Sequence, residues 1–144
     1  MPDALPPHAS ARKFSLLLVE PQFVIRRTVV SVTSAIDGLH VREATGTEAA
    51  RPLLASESFD GFLIDHGEDA AGVTLIERVH SGETPSPAQA SVAIMLTQCG
   101  SETVEALRKL SVQRVLIKPF KVKTLLETVI AFYQQKEGRE PAPR

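Results

Sequence analysis

Four polar residues stand out because each closes an apolar run. Glu20 follows SLLLV (15–19), Asp65 follows GFLI (61–64), Thr97 ends the run VAIML (92–96), and Lys118 follows RVLI (114–117). If these runs are parallel strands of one sheet, two carboxylates, a hydroxyl and an ammonium share one edge. Such sheets bind their ligands there, outside the carboxyl ends of the strands. Taken singly, each residue has a plainer reading. Asp65 can cap a turn or a helix, Thr97 can simply end a strand, and Lys118 can be a solvated lysine. Only their joint occurrence points to a site. His66, Glu68 and Asp69 read as a solvated acidic loop, since the spacing of metal ligands on a rigid element is missing. Cys99 has no activating neighbour in sequence and reads as an ordinary thiol.

The elements that would position these groups follow from periodicity. A fifth run, LHV (39–41), joins the four above, and most of the runs are nearly all apolar, as suits strands covered on both faces. Between them lie helical patterns. Ile25, Val29, Val32 and Ile36 recur at helical spacing, and Val122, Leu125, Leu126, Val129, Ile130 and Tyr133 form a broader stripe. Segments 47–56, 72–80 and 101–111 complete five helices, with Pro52 expected to kink the second or shift its start. Strand and helix alternating five times predict an α/β fold, a doubly wound parallel sheet with right-handed crossovers. Prolines at 2, 6 and 7, at 85 and 87, and at 141 and 143 mark a disordered N-terminal arm (1–12), a surface loop (81–90) and a flexible tail (136–144) around a domain at 13–135.

Composition excludes several classes. The 144 residues suit one domain with a self-supporting core. The 16 Lys and Arg against 17 Asp and Glu leave no net field to hold nucleic acid or anionic lipid. One cysteine allows neither an internal disulfide nor a Cys-rich zinc site. No apolar run approaches the roughly 18 residues of a membrane helix, and no secretory signal is visible. A soluble, cytoplasmic protein is the expectation. No glycine-rich phosphate loop follows a strand, which disfavours a small flavodoxin-like nucleotide or flavin binder.

LLLVE, FLID, IMLT and LIKPF, in this order and at these separations, make the chain resemble the receiver (CheY-like) domain of two-component response regulators over residues 13–134. EATGTEAA (43–50) and Arg26 and Arg27 are similar to family features as well. The resemblance implies a flavodoxin-like (βα)5 sandwich with strand order 2-1-3-4-5. It implies Asp65 as phosphoacceptor, Lys118 as the ammonium and Thr97 as the hydroxyl that attend the phosphoryl group. A magnesium ion would sit on Glu20, Asp65 and the Gly67 carbonyl. A cis Lys118–Pro119 peptide is implied too. The expected partners are a histidine kinase or phosphotransfer protein and a downstream protein bound through the fourth helix, fifth strand and fifth helix, with a second copy of the chain as a further candidate. Neither nucleic acid nor membrane is expected.

The chain also departs from that pattern. Pro21 stands where the family's second acid ligates the metal, and proline brings no carboxylate; Gln22, Glu68 and Asp69 are candidate replacements. Gln98 is bulky where the family is small, and Val115 replaces the switch aromatic. The loop HGEDAAG after Asp65 lacks the usual Met-Pro. Two functions therefore compete: a stand-alone receiver phosphorylated on Asp65, regulatory rather than enzymatic, and a pseudo-receiver that keeps the fold as an unphosphorylated interaction module.

Overall fold

The structure, a computed structural model, describes residues 13–98 and 100–139. The arm (1–12), Cys99 and the last residues of the tail (140–144) lie outside the described residues, as does the side chain of Asp69. In chain order the elements are β1 (Phe14–Val19), α1 (Phe23–Thr33), β2 (Leu39–Ala44), α2 (Thr47–Ser56), β3 (Gly61–Asp65), a 3-10 turn (Glu68–Ala70), α3 (Ala71–His80), β4 (Ser91–Leu96), α4 (Ser101–Lys109), β5 (Arg114–Ile117) and α5 (Val122–Arg139). The five strands pair in parallel in the order β2-β1-β3-β4-β5, as expected.

Alternation along the strands builds two cores. Leu17, Val19, Phe62, Ile64, Val92, Ile94 and Leu96 face a layer formed by α2, α3 and α4 through Leu54, Leu75, Ile76, Val79 and Leu107. Leu16, Leu18, Leu63, Ala93, Met95 and Leu116 face α1 and α5 through Val29, Leu125 and Phe132. Successive side chains of a strand point to opposite faces, so runs that are apolar throughout require helices on both sides. That is why the central strands read as unbroken apolar strings.

Several boundaries moved. α2 runs through Pro52 with its start at Thr47 and no shift. The buried Ala50 and Leu54 dock this helix on the sheet, and that packing outweighs the one hydrogen bond proline cannot donate. α1 stops at Thr33, so Ile36 lies beyond it and bonds back to the Thr33 carbonyl at 3.0 Å. α5 runs past the expected boundary at 135. The Lys136 ammonium donates to the Lys13 carbonyl at 2.7 Å and pairs with Asp60 at 3.2 Å, which ties residues expected in a flexible tail to the domain. The 81–90 loop is anchored as well, because buried Ser86 accepts the Phe59 N–H at 2.9 Å.

Candidate functional site

Register explains why distant residues meet. Val19 pairs with Ile64, Asp65 with Met95, and Leu96 with Ile117. Glu20 is thus level with Asp65 across β1 and β3, and Thr97 with Lys118 across β4 and β5. β1, β3 and β5 each continue their ladder one residue past the strand end. The Glu20 N–H donates to Ala44 at 3.0 Å, His66 to Met95 at 2.8 Å and Lys118 to Leu96 at 2.8 Å. The four expected site residues therefore line one open cleft of about 540 Å³, with Pro21, Gln22, His66, Gly67, Glu68 and Gln98 on its walls.

Lys118 is the hub. Its ammonium donates to Asp65 Oδ1 at 2.7 Å and forms an ion pair with Glu20 Oε1 at 2.6 Å. The Lys118 side chain is 7% exposed and that of Glu20 0%. Burial alone would push the lysine pKa down. The hydrogen bonds and charges of Asp65 and Glu20 outweigh it, and the ammonium is held above its ordinary range. The Lys118–Pro119 peptide is cis, as the resemblance implied.

Glu20 is held from several sides. Its Oε2 accepts the Gln22 N–H at 3.0 Å, and its carbonyl accepts Arg26 Nη1 at 2.9 Å. Its Oε1 is buried, and among the described residues the Lys118 ammonium is the group that compensates it. Thr97 and Gln98 are exposed at the rim, and Val115 is exposed on β5.

Two glycines shape the cleft. Gly67 has φ +73°, a backbone that L side chains rarely adopt, and its carbonyl lies 3.0 Å from His66 Nδ1. Gly72 was not foreseen. A Cβ there would collide with the Asp65 carbonyl oxygen and stand 3.1 Å from that of His66. Its bare backbone lets α3 begin directly against the end of β3, with the Gly72 N–H on the His66 carbonyl at 2.9 Å. A glycine at the head of a helical pattern carries no signal for such a contact, because the contact is tertiary.

Among the described residues no cluster of three or more His, Cys, Asp or Glu forms a metal cage. Magnesium needs no cage, because it commonly takes one or two carboxylates and keeps several waters. Asp65, the Gly67 carbonyl and Glu20 would offer such an ion a sparse set of protein oxygens, which it would share with the Lys118 ammonium already on Asp65 Oδ1 and Glu20 Oε1, and Pro21 adds no carboxylate.

No family model matches the chain, and no curated protein matches it in sequence. Solved structures match its fold closely. The signal receiver domain of an HD domain-containing protein from Pseudomonas fluorescens Pf-5 aligns at 20% identity and TM-score 0.77, covering 89% of this chain and 100% of that one. A CheY-like response regulator receiver domain protein from Methanospirillum hungatei aligns at 17% identity and TM-score 0.77, covering 89% and 99%. The receiver domain of the Francisella response regulator 1452 aligns at 19% and 0.73, covering 86% and 99%. The chain has the fold of response-regulator receiver (CheY-like) domains.

Proposed function

We propose that the domain is a phosphoacceptor. Asp65 takes a phosphoryl group from a phosphohistidine of a kinase or phosphotransfer protein, and the change is passed on by protein contact. The observation that supports this best is the Lys118 ammonium set between Asp65 and Glu20 at the mouth of one cleft. An Asp65 oxygen attacks phosphorus while the P–N bond to the imidazole breaks. The electron pair returns to the ring and an acyl phosphate is left on Asp65. The Lys118 ammonium lies where negative charge gathers on the phosphoryl oxygens, a preorganised counter-charge that needs no rearrangement. Thr97 offers a hydroxyl from the same rim. Magnesium, held by Asp65, the Gly67 carbonyl and Glu20, would supply further charge neutralisation. The chain modifies itself once per transfer and is regulatory rather than enzymatic.

An exposed apolar face supports output by protein contact. Val104, Val115, Ile117, Val122 and Ile130 are exposed on α4, β5 and α5. Such a set of apolar side chains suits a protein target or a second copy of the chain. Among the described residues no helix is long and apolar enough to cross a membrane.

The test is intact mass after incubation with acetyl phosphate and magnesium. One added phosphoryl in wild type that disappears in Asp65→Asn is the expected result. No gain, or an equal gain in the variant, overturns the reading. Pro21 favours the second reading, an unphosphorylated interaction module. It stands exposed at the rim without a carboxylate, and the ammonium already compensates both acids. That reading expects partner affinity indifferent to Asp65→Asn.

A further inference from the structure

Arg26, Arg27 and Glu43 take no part in the transfer described above, yet they join the site from behind. We infer that Arg26 is a positioning residue: anchored on Glu43, its guanidinium grips the Glu20–Pro21 backbone and so aims the Glu20 carboxylate at Lys118. Nη1 donates to the Glu20 carbonyl at 2.9 Å and lies 3.4 Å from that of Pro21. Nε lies 3.4 Å from Glu43 Oε1 on β2, and the guanidinium carbon stands 5.6 Å from the Phe23 ring centroid. The Arg26 side chain is 13% exposed, whereas Arg27, which reaches the other Glu43 oxygen at 3.6 Å, is 53% exposed. The two arginines therefore differ in role: one is built in, the other shares a surface charge.

The need for such a clamp follows from Pro21. Proline offers no N–H with which to fasten the loop at that position. The Glu20 N–H is already spent on Ala44 and its Oε2 on the Gln22 N–H. The Glu20 carbonyl is the remaining handle on this residue's backbone, and Arg26 holds it. A guanidinium can bridge a carbonyl and a carboxylate at once because its donors form a rigid fork; an ammonium is a point charge and does not reproduce that span. Glu20 in turn compensates Lys118, which lies on Asp65.

The kinetic arm of the test rests on Asp65 as phosphoacceptor, and the exchange arm does not. Arg26→Lys, Arg26→Ala and the control Arg27→Ala are compared with wild type. The first measurement is amide hydrogen exchange at Gln22, whose N–H reports the Glu20 carboxylate. The second is the rate constant and final extent of phosphoryl gain from acetyl phosphate with magnesium. Both Arg26 variants are expected to exchange Gln22 about tenfold faster. They are also expected to react about ten- to a hundredfold more slowly, the scale of a misplaced group, with the same final extent. Arg27→Ala changes neither. Unchanged Gln22 exchange in both Arg26 variants overturns the inference. So does a fall in extent and thermal midpoint with the rate constant intact, which marks a structural role only. If wild type takes no phosphoryl group, the reading of Asp65 falls, and Gln22 exchange alone still decides the role of Arg26.

Discussion

Replacing Lys118 by methionine keeps most of the side-chain volume and removes the charge that Glu20 and Asp65 share. Glu20 is fully buried, and the ammonium 2.6 Å from Oε1 is that oxygen's compensation. At an effective dielectric of about 20, a pair at this distance interacts by roughly 6 kcal/mol before desolvation is subtracted. Removing one member of a buried pair typically costs about 3–5 kcal/mol, because a charge remains without a partner. Asp65 retains some solvent, its side chain being 15% exposed, so the lower end is the better expectation. About 3 kcal/mol corresponds to a thermal midpoint lowered by roughly 6–12 °C in a domain of this size. Urea denaturation followed by circular dichroism, together with a thermal melt at neutral pH, measures both. The double variant Glu20→Gln/Lys118→Met removes both charges and is expected to be more stable than the sum of the single losses by about 1–3 kcal/mol. A Lys118→Met protein within about 1 kcal/mol of wild type, or strictly additive single variants, would refute the idea that this triad compensates a buried charge.

Three further outcomes follow from the same geometry. Because the folded protein holds the Lys118 ammonium above its ordinary range, its stabilising contribution is complete below the unfolded value of about 10.4 and is lost only as pH rises through the folded value. The stability gap between wild type and Lys118→Met should therefore stay flat from pH 7 to about 10 and close above it. Tyr133, which burial and the charges of Asp60 and Asp37 also raise, is present in both proteins and cancels. Gly72→Ala, which drives a Cβ into the Asp65 carbonyl, should cost about 1–3 kcal/mol in urea denaturation and slow phosphoryl gain, since β3 or α3 must shift. Pro21→Asp adds a carboxylate at the rim and should tighten magnesium binding by tenfold or more in calorimetry, a gain of at least about 1.4 kcal/mol. An unaltered affinity would show that the missing acid is not what limits the site.

The apolar runs located all five strands to within about three residues; the three central strands are buried on both faces and leave unbroken apolar strings, whereas the edge strands β2 and β5 are largely exposed. Helix ends were harder to read. Ile36 continues the periodic stripe of α1 but lies past its last turn, and Lys136 falls in the expected tail although its ammonium holds Lys13 and Asp60. Pro52 carried a local veto that packing against the sheet overrode. Gly72 and Ser86 gave no sign of their roles, since each acts on backbone groups of another segment, and Arg26 stood out only as a family-like residue without its contact to the Glu20 carbonyl.

The linear order of residues settled the alternation of elements and which polar groups end the strands, because burial and periodicity act along the chain. The parallel register, the position of one ammonium between two carboxylates, and the clamp of Arg26 on Glu20 were decided only in three dimensions. Strand pairing and burial bring together groups up to 98 positions apart, and the charges and hydrogen bonds that define the site exist only once water has been displaced from between them.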